Sequence, residues 1–216
     1  MLIPKVNNPQ DLYECIHYLR NKKGKTGGRD IKLDMAKAYD RVEWEYLNAI
    51  MQALGFLASW CSLVMKCISS VSFSVRVNGV FSDNFKPTRG IRQGDPVSPY
   101  LFLLCSEGLS CMVNNIGPLY VSRGMWASRH APWISHLVFA DDCLIFTQAS
   151  KKGADRVAAI LDDYNRGSGQ LVNKNKSAIF FSLNCQRDCK EEVHSSLQIP
   201  NEALGRGAVP GSPHYS

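Results

Sequence analysis

LVFADDCLIF, residues 137–146, sets two adjacent carboxylates, Asp141 and Asp142, between two four-residue apolar runs. A carboxylate taken out of water without a partner is costly, so a folding chain avoids placing one inside an apolar segment. The pair reads in one of two ways. It is a turn, because Asp favours turn positions, or it is a cation site held at the edge of a core. LVFA and CLIF are apolar at successive positions, as strands buried on both faces are. That favours the cation. The wider segment WISHLVFADDCLIFTQ, residues 133–148, then reads as a hairpin with the acidic pair at its turn.

A third carboxylate has a similar setting. IKLDM, residues 31–35, alternates in polarity and predicts a strand carrying Asp34 at its end. Its other reading is a helix N-cap, with MAKAYD opening the helix. Three acids delivered from strand ends would form a hard-oxygen site of the kind Mg²⁺ prefers. Two such ions about 3.5–4 Å apart activate an attacking hydroxyl and stabilise a leaving oxygen in phosphoryl transfer. Successive strand residues face opposite ways. Asp141 and Asp142 therefore reach the same ions only if the turn bends the chain, and Asp141 is expected to be the stronger ligand.

The remaining segments give the frame. DLYECIHYLR, 11–20, has helical spacing, and NKKGKTGGRD, 21–30, reads as a loop. Its GKT is not a phosphate loop, because Leu19 stands where that motif needs glycine. Residues 43–69 predict two helices broken near Gly55. SFSVRVNGVFSDNF, 72–85, predicts a hairpin turning at Asn78-Gly79. TRGIRQGD, 88–95, is a glycine-bearing loop. Ser98-Pro99 predicts an N-cap with proline at the first helical position, and the helix runs to about Asn115. Residues 152–166 predict an amphipathic helix, SAIFFS (177–182) a strand and 186–197 a weak helix. Strands and helices mix without βαβ alternation. The expected class is α+β: an antiparallel sheet with packed helices on one face.

Composition narrows the class. With 216 residues, 45% hydrophobic and 20% charged, the chain can bury one sizeable core. Net charge is +6, with Lys22, Lys23, Lys25 and Arg29 clustered and Lys174 close to Lys176. That balance fits a polyanionic partner or ordinary solubilising charge. The eight cysteines form no CxxC pair and no zinc spacing, so they read as reduced structural thiols. No run reaches the roughly 18–20 apolar residues of a spanning helix. Prolines and asparagines stand where a signal peptide would be apolar. An intracellular protein is expected.

DIKLDMAKAYDRVEWEYL, GIRQGDPVSPYLF, HLVFADDCLIF and SGQLVNKNKS occur in this order, and together they resemble the palm motifs of reverse transcriptases. The likeness is strongest to those of plant non-LTR, LINE-type retrotransposons. It covers roughly residues 11–195. The resemblance implies a right-hand polymerase palm at 30–197 that copies an RNA template from a DNA primer and dNTPs, with two Mg²⁺ ions or Mn²⁺ in their place. It implies Asp34, Asp141 and Asp142 as metal-binding catalytic acids, with the Met35 carbonyl beside Asp34. It implies Tyr39 as the aromatic steric gate under the sugar, where the bland reading is a core aromatic. It implies Gln93 and Gly94 as the loop against the incoming nucleotide, with Arg92 contacting a phosphate or the template. Lys176 matches a late lysine that protonates pyrophosphate, or is a solvated lysine beside Lys174. A nuclear location is implied as well.

The ends depart from the family pattern. MLIPKVNNPQ resembles the start of the fingers, and DLYECIHYLRNKKGK the segment just before the first catalytic strand. In the family a long stretch with an Arg-Pro element separates them; here they abut. Residues 1–29 are therefore expected to be a residual fingers segment with an internal deletion. Residues 198–216 are expected to be a disordered tail where the family has a thumb. Two alternatives follow: a catalytically inactive remnant that at most binds nucleic acid or Mg²⁺ weakly, and a two-metal nuclease, which leaves Tyr39 and the Gln93-Gly94 loop without a role.

Overall fold

The computed structural model describes residues 28–115, 135–139 and 142–203. The helix expected at 11–20, most of the expected fingers segment, Ala140 and Asp141 lie outside these. Element order is β1 (Gly28–Asp34), α1 (Trp44–Ala53), α2 (Ala58–Ser69), β2 (Arg76–Val77), β3 (Val80–Phe81), α3 (Ser98–Asn114), β4 (His136–Phe139), β5 (Asp142–Gln148), α4 (Lys151–Ser168), β6 (Ala178–Phe181), α5 (Arg187–Leu197) and β7 (Asn201–Glu202).

The sheet order is β4-β5-β1-β6-β7, with β1 at the centre and β2-β3 as a separate hairpin. β1 is antiparallel to both neighbours. The one departure from the expected antiparallel sheet is β6-β7, which is parallel. Period-2 alternation gives β1 two unlike faces. Ile31 and Leu33 are fully buried and lie opposite Ile145 and Cys143 of β5. This face joins Leu109 of α3, Val157, Ile160 and Tyr164 of α4, and Val193 and Leu197 of α5 in one apolar core. The other face carries Asp30, Lys32 and Asp34. The mixed α+β architecture read from the sequence is thus the one observed.

Local chemistry accounts for the elements. Gly55 (φ 86°) separates α1 from α2 as expected, and Asn78 and Gly79 (φ 50° and 89°) form the two-residue hairpin turn. α4 starts at Ser150, whose Oγ accepts from the Gly153 N–H, and stops at Gly169 in the left-handed region. Three expectations need correction. β1 begins at Gly28, three residues before Ile31, so Arg29 and Asp30 are buried in the sheet, although their charge made them read as loop. Ser98 is not the cap of α3 but its first residue; Val97 takes the cap position without a side-chain cap hydrogen bond, and Asp95 Oδ1 accepts the Val97 N–H just ahead of the helix at 2.9 Å. Finally, Ile199 is buried and Asn201–Glu202 pair with β6, so the sheet extends into the segment expected as a tail from 198.

Two contacts in the core are testable. Tyr46 of α1 and Tyr164 of α4 both donate to the Cys105 carbonyl of α3, at 3.3 and 3.4 Å, and meet edge to face. A Cβ on Gly108 would overlap the Tyr46 hydroxyl. Helix propensity alone favours Ala over Gly in a helix interior by about 1 kcal/mol. Gly108→Ala is nevertheless expected to destabilise the chain, by about 1–3 kcal/mol in chemical denaturation, because overpacking outweighs propensity. His136 of β4 is buried, and desolvation lowers its pKa to about 4. The unfolded chain, with His near 6.5, therefore binds more protons between these values. Stability is expected to be intact above pH 6.5 and to fall by about 3 kcal/mol as pH drops to 4. His136→Gln should remove that part of the acid sensitivity in pH-dependent melting.

Candidate active site

Asp34 closes β1, Asp142 opens β5, and the two are direct cross-strand partners. Opposed residues of an antiparallel pair project from the same face at close range, and like charges there repel. Lys32, two positions before Asp34 on that face, places Nζ 3.3 Å from Asp142 Oδ1. The diagonal offset across the ladder suits a long side chain. The N-cap reading of Asp34 fails: Ala36–Arg41 form turns, and no helix starts between Asp34 and Trp44. Asp141, expected as the stronger ligand, lies outside the described residues, and the register gives Asp142 the position opposite Asp34.

A strap from residues 168–177 holds the end of β1. The Asn173 N–H donates to the Asp34 carbonyl at 2.8 Å, and the Asp34 N–H donates to Ser177 Oγ at 3.1 Å. Ser177 Oγ in turn donates to the Asn173 carbonyl at 2.8 Å. Met35 bridges to Val172, and the Ala36 N–H donates to the Leu171 carbonyl. Further along, buried Gln170 donates through Nε2 to the Ala38 carbonyl, and Arg41 Nε donates to the Gly169 carbonyl, both at 2.8 Å. The motif SGQLVNKNKS thus runs alongside DMAKAYDR. This brings Lys176, whose backbone N–H donates to the Asn173 carbonyl, into the turn next to Asp34's support.

The glycine-bearing loop is fastened to the same turn. The Ile91 N–H donates to the Tyr39 carbonyl, the Gly90 N–H to the Val42 carbonyl, and Trp44 Nε1 to the Gly90 carbonyl at 2.7 Å. The Tyr39 ring is partly buried and stacks on Phe102, with centroids 5.1 Å apart. Arg92, Gln93 and Gly94 are exposed. Arg92 and Gln93 line a cleft of about 710 Å³ with Arg89, Asp40 and apolar residues of α2. Asp34 and Asp142 do not line that cleft. Gly94 (φ 90°) meets no protein atom where a Cβ would stand, so it supplies only a backbone conformation. The close approach is at Gly90 (φ 88°), where a Cβ would lie 2.8 Å from the Asp40 carbonyl oxygen.

Residues 3–199 match the profile of the family described as reverse transcriptase (RNA-dependent DNA polymerase). The chain belongs to the reverse transcriptase family. It is 30% identical, over 75% of its length, to a retrovirus-related Pol polyprotein from the type-1 retrotransposable element R2 of Popillia japonica, of which it covers 26%. It is 46% identical over 66 residues to the uncharacterized mitochondrial protein AtMg01250 of Arabidopsis thaliana, covering 31% of this chain and 54% of that protein. The chain therefore spans about half, or a quarter, of the length of these relatives. The LINE-type likeness drawn from the motifs agrees with the R2 relatives. Apo telomerase from Candida tropicalis has the same fold over 83% of this chain and 36% of its own, with a TM-score of 0.57 at 20% identity.

The structure sets Asp34 opposite Asp142, ties the strap that carries Lys176 to the backbone of Asp34, and joins the Tyr39 turn to the loop that leads into Gln93. Cys143, beside Asp142, is buried on the opposite face, and desolvation holds its thiol up at about 12. Among the described residues no three His, Cys, Asp or Glu side chains converge; the described acids of the site are two. The sequence reading missed Lys32, Asn173, Ser177, Gln170 and Gly90. Lys32 was legible as the polar member of IKLD facing the same way as Asp34. Partners more than 100 positions apart carried no local signal.

The two loop glycines make a controlled pair. Both need a left-handed backbone, which costs a non-glycine residue roughly 1 kcal/mol. Only Gly90 is also crowded by backbone. Gly94→Ala is expected to lose about 1 kcal/mol of stability and Gly90→Ala about 2–3 kcal/mol, compared by denaturant melts.

Proposed function

We propose that the chain is the catalytic palm of an RNA-directed DNA polymerase from a plant LINE-type element, joining a dNTP to a primer 3′-hydroxyl. The observation that carries this reading is the register of Asp34 against Asp142: two hard-oxygen ligands on one face, next to a loop tied to the Tyr39 turn. Asp34 and Asp142, with the neighbouring Asp141, would hold two divalent cations, Mg²⁺ or Mn²⁺, which when bound lower the pKa of the attacking hydroxyl and offset charge on the leaving pyrophosphate.

The chain's own residues do the rest. The Asn173 and Ser177 hydrogen bonds hold the backbone of Asp34, so its carboxylate meets the substrate in a fixed position. Tyr39, braced by Phe102, would stand under the sugar and select against a 2′-hydroxyl. Arg92 and Gln93 would contact the triphosphate or the template base from the loop tied to the Tyr39 turn. Lys176 donates a proton to the departing pyrophosphate. RNA template, DNA primer and dNTP are the implied substrates, and the nucleus is the implied compartment. No helix among the described residues is long and apolar enough to cross a membrane.

Primer extension tests this. With a poly(rA) template, an oligo(dT) primer, dTTP and Mg²⁺, the wild-type protein should extend the primer. Asp34→Asn and Asp142→Asn should each lower the rate by roughly 100-fold or more, since loss of a direct ligand exceeds the ~10–100-fold typical of outer-shell partners. A folded wild-type protein that binds the duplex and Mn²⁺ without extending it would instead identify an inactive remnant.

A further inference from the structure

Among the described residues Lys32 is the one basic side chain that pairs with an acid of the site, and neither the motifs nor the family match assigns it a role. Its Nζ is 3.3 Å from Asp142 Oδ1, with the lysine side chain 18% exposed and the aspartate 36%. It arises from the centre of β1, hydrogen-bonded on both sides through the Leu144 and Ala178 positions. Its backbone therefore cannot move away without breaking the sheet. Asp34 and Asp142 stand opposite each other with no other described cation on either carboxylate. We propose that Lys32 is a built-in counter-ion of the carboxylate pair. It holds Asp142 in the absence of divalent metal, offsets the repulsion across the ladder, and must give up that carboxylate oxygen when metal binds.

The proposal rests on the reading of Asp34 and Asp142 as metal ligands, and adds a cost that metal must overcome. The geometry distinguishes it from two simpler roles. A lysine that only covered apolar surface would lie along Leu144 and keep its ammonium in water. A lysine placed to grip a phosphate would leave its ammonium unpaired on the solvent side. Here the ammonium sits on the ligand itself. Since a cation and the ammonium compete for one oxygen, removing the lysine should tighten metal binding while loosening the metal-free fold. A group that merely positions Asp142 for metal would do the reverse on the first count.

The test uses Mn²⁺ binding, read by the loss of free-ion EPR signal, and melting with and without Mn²⁺; neither depends on activity. Lys32→Met, nearly isosteric and able to keep the stem packed, should bind Mn²⁺ roughly fivefold more tightly than wild type, the equivalent of one partly exposed ion pair. Its metal-free Tm should fall by roughly 2–4 °C, with saturating Mn²⁺ closing the gap. Lys32→Arg, which keeps the charge, should stay near wild type on both measures. In an Asp142→Asn background, Lys32→Met should no longer change affinity. Saturable wild-type binding that Lys32→Met leaves unchanged or weakens overturns the counter-ion role alone. Absence of saturable binding in both proteins, with each folded, overturns the metal reading of the carboxylates and the proposal with it.

Discussion

The register between β1 and β5 is the constraint on which the rest depends. It sets Asp34 opposite Asp142, an arrangement that electrostatics by itself opposes. Cross-strand pairs contribute or cost roughly 0.2–1 kcal/mol. The same register sets Ile31 against Ile145 and Leu33 against Cys143, all at most 2% exposed. Each such large apolar side chain gains about 1.5–3 kcal/mol on burial. A slip of one residue would turn this set to the charged face and Asp30, Lys32 and Asp34 into the core. The core side wins by several-fold, and the acids are carried into opposition by residues that never touch them.

Register fixes where the acids are across the sheet, but the end of β1 would fray without a second restraint. The strap at 168–177 supplies it, and its path explains why MAKAYD is not a helix. The Ala36 N–H donates to Leu171, the Ala38 carbonyl accepts from Gln170 and the Arg41 side chain donates to Gly169, so the backbone groups of Ala36 and Ala38 are paired with the strap and not with a helix of their own. Gly169, left-handed at the end of α4, lets the chain turn back at the point where its backbone meets Arg41. A stop signal for one helix is thereby also the start of the support for a strand end far away in sequence.

What the sequence made legible follows from the range of the interactions involved. Elements set by local rules were readable: the Asn78-Gly79 turn, the break at Gly55, the stripe of α4 and the alternation of IKLD. So was the convergence of Asp34 with the acidic hairpin, because motif order stands in for topology when a family is recognisable. Arg29 and Asp30 misled, since burial of charged residues is a property of the surrounding sheet and leaves no trace in NKKGKTGGRD. Ser98 misled for the opposite reason: its type fits a cap, but the cap falls one residue earlier at Val97, whose carbonyl accepts from the Tyr100 and Leu101 N–H groups. Ser177 and Gln170 were invisible as supports, because a serine or glutamine gains that meaning only when its partner is brought in from more than 100 residues away.

The chemistry of the site also depends on what the two faces withhold. Cys143 and His136 lie in the segments that form the acidic hairpin, and either would be a good ligand for a soft or borderline metal. Alternation sends Cys143 to the core side of Asp142, and the His136↔Ile145 pairing puts His136 on that side too. Burial then fixes their protonation, the thiol up at about 12 and the imidazole down at about 4, so both are neutral at physiological pH. A cation recruited to Asp34 and Asp142 meets carboxylate oxygen, a neighbouring ammonium and solvent. Under the proposed reading, such an environment would favour a hard divalent ion that retains water and shares phosphate oxygens. The period-2 pattern that builds the core therefore also turns Cys143 and His136, the softer donors described in the hairpin, to the side of the sheet away from the carboxylates.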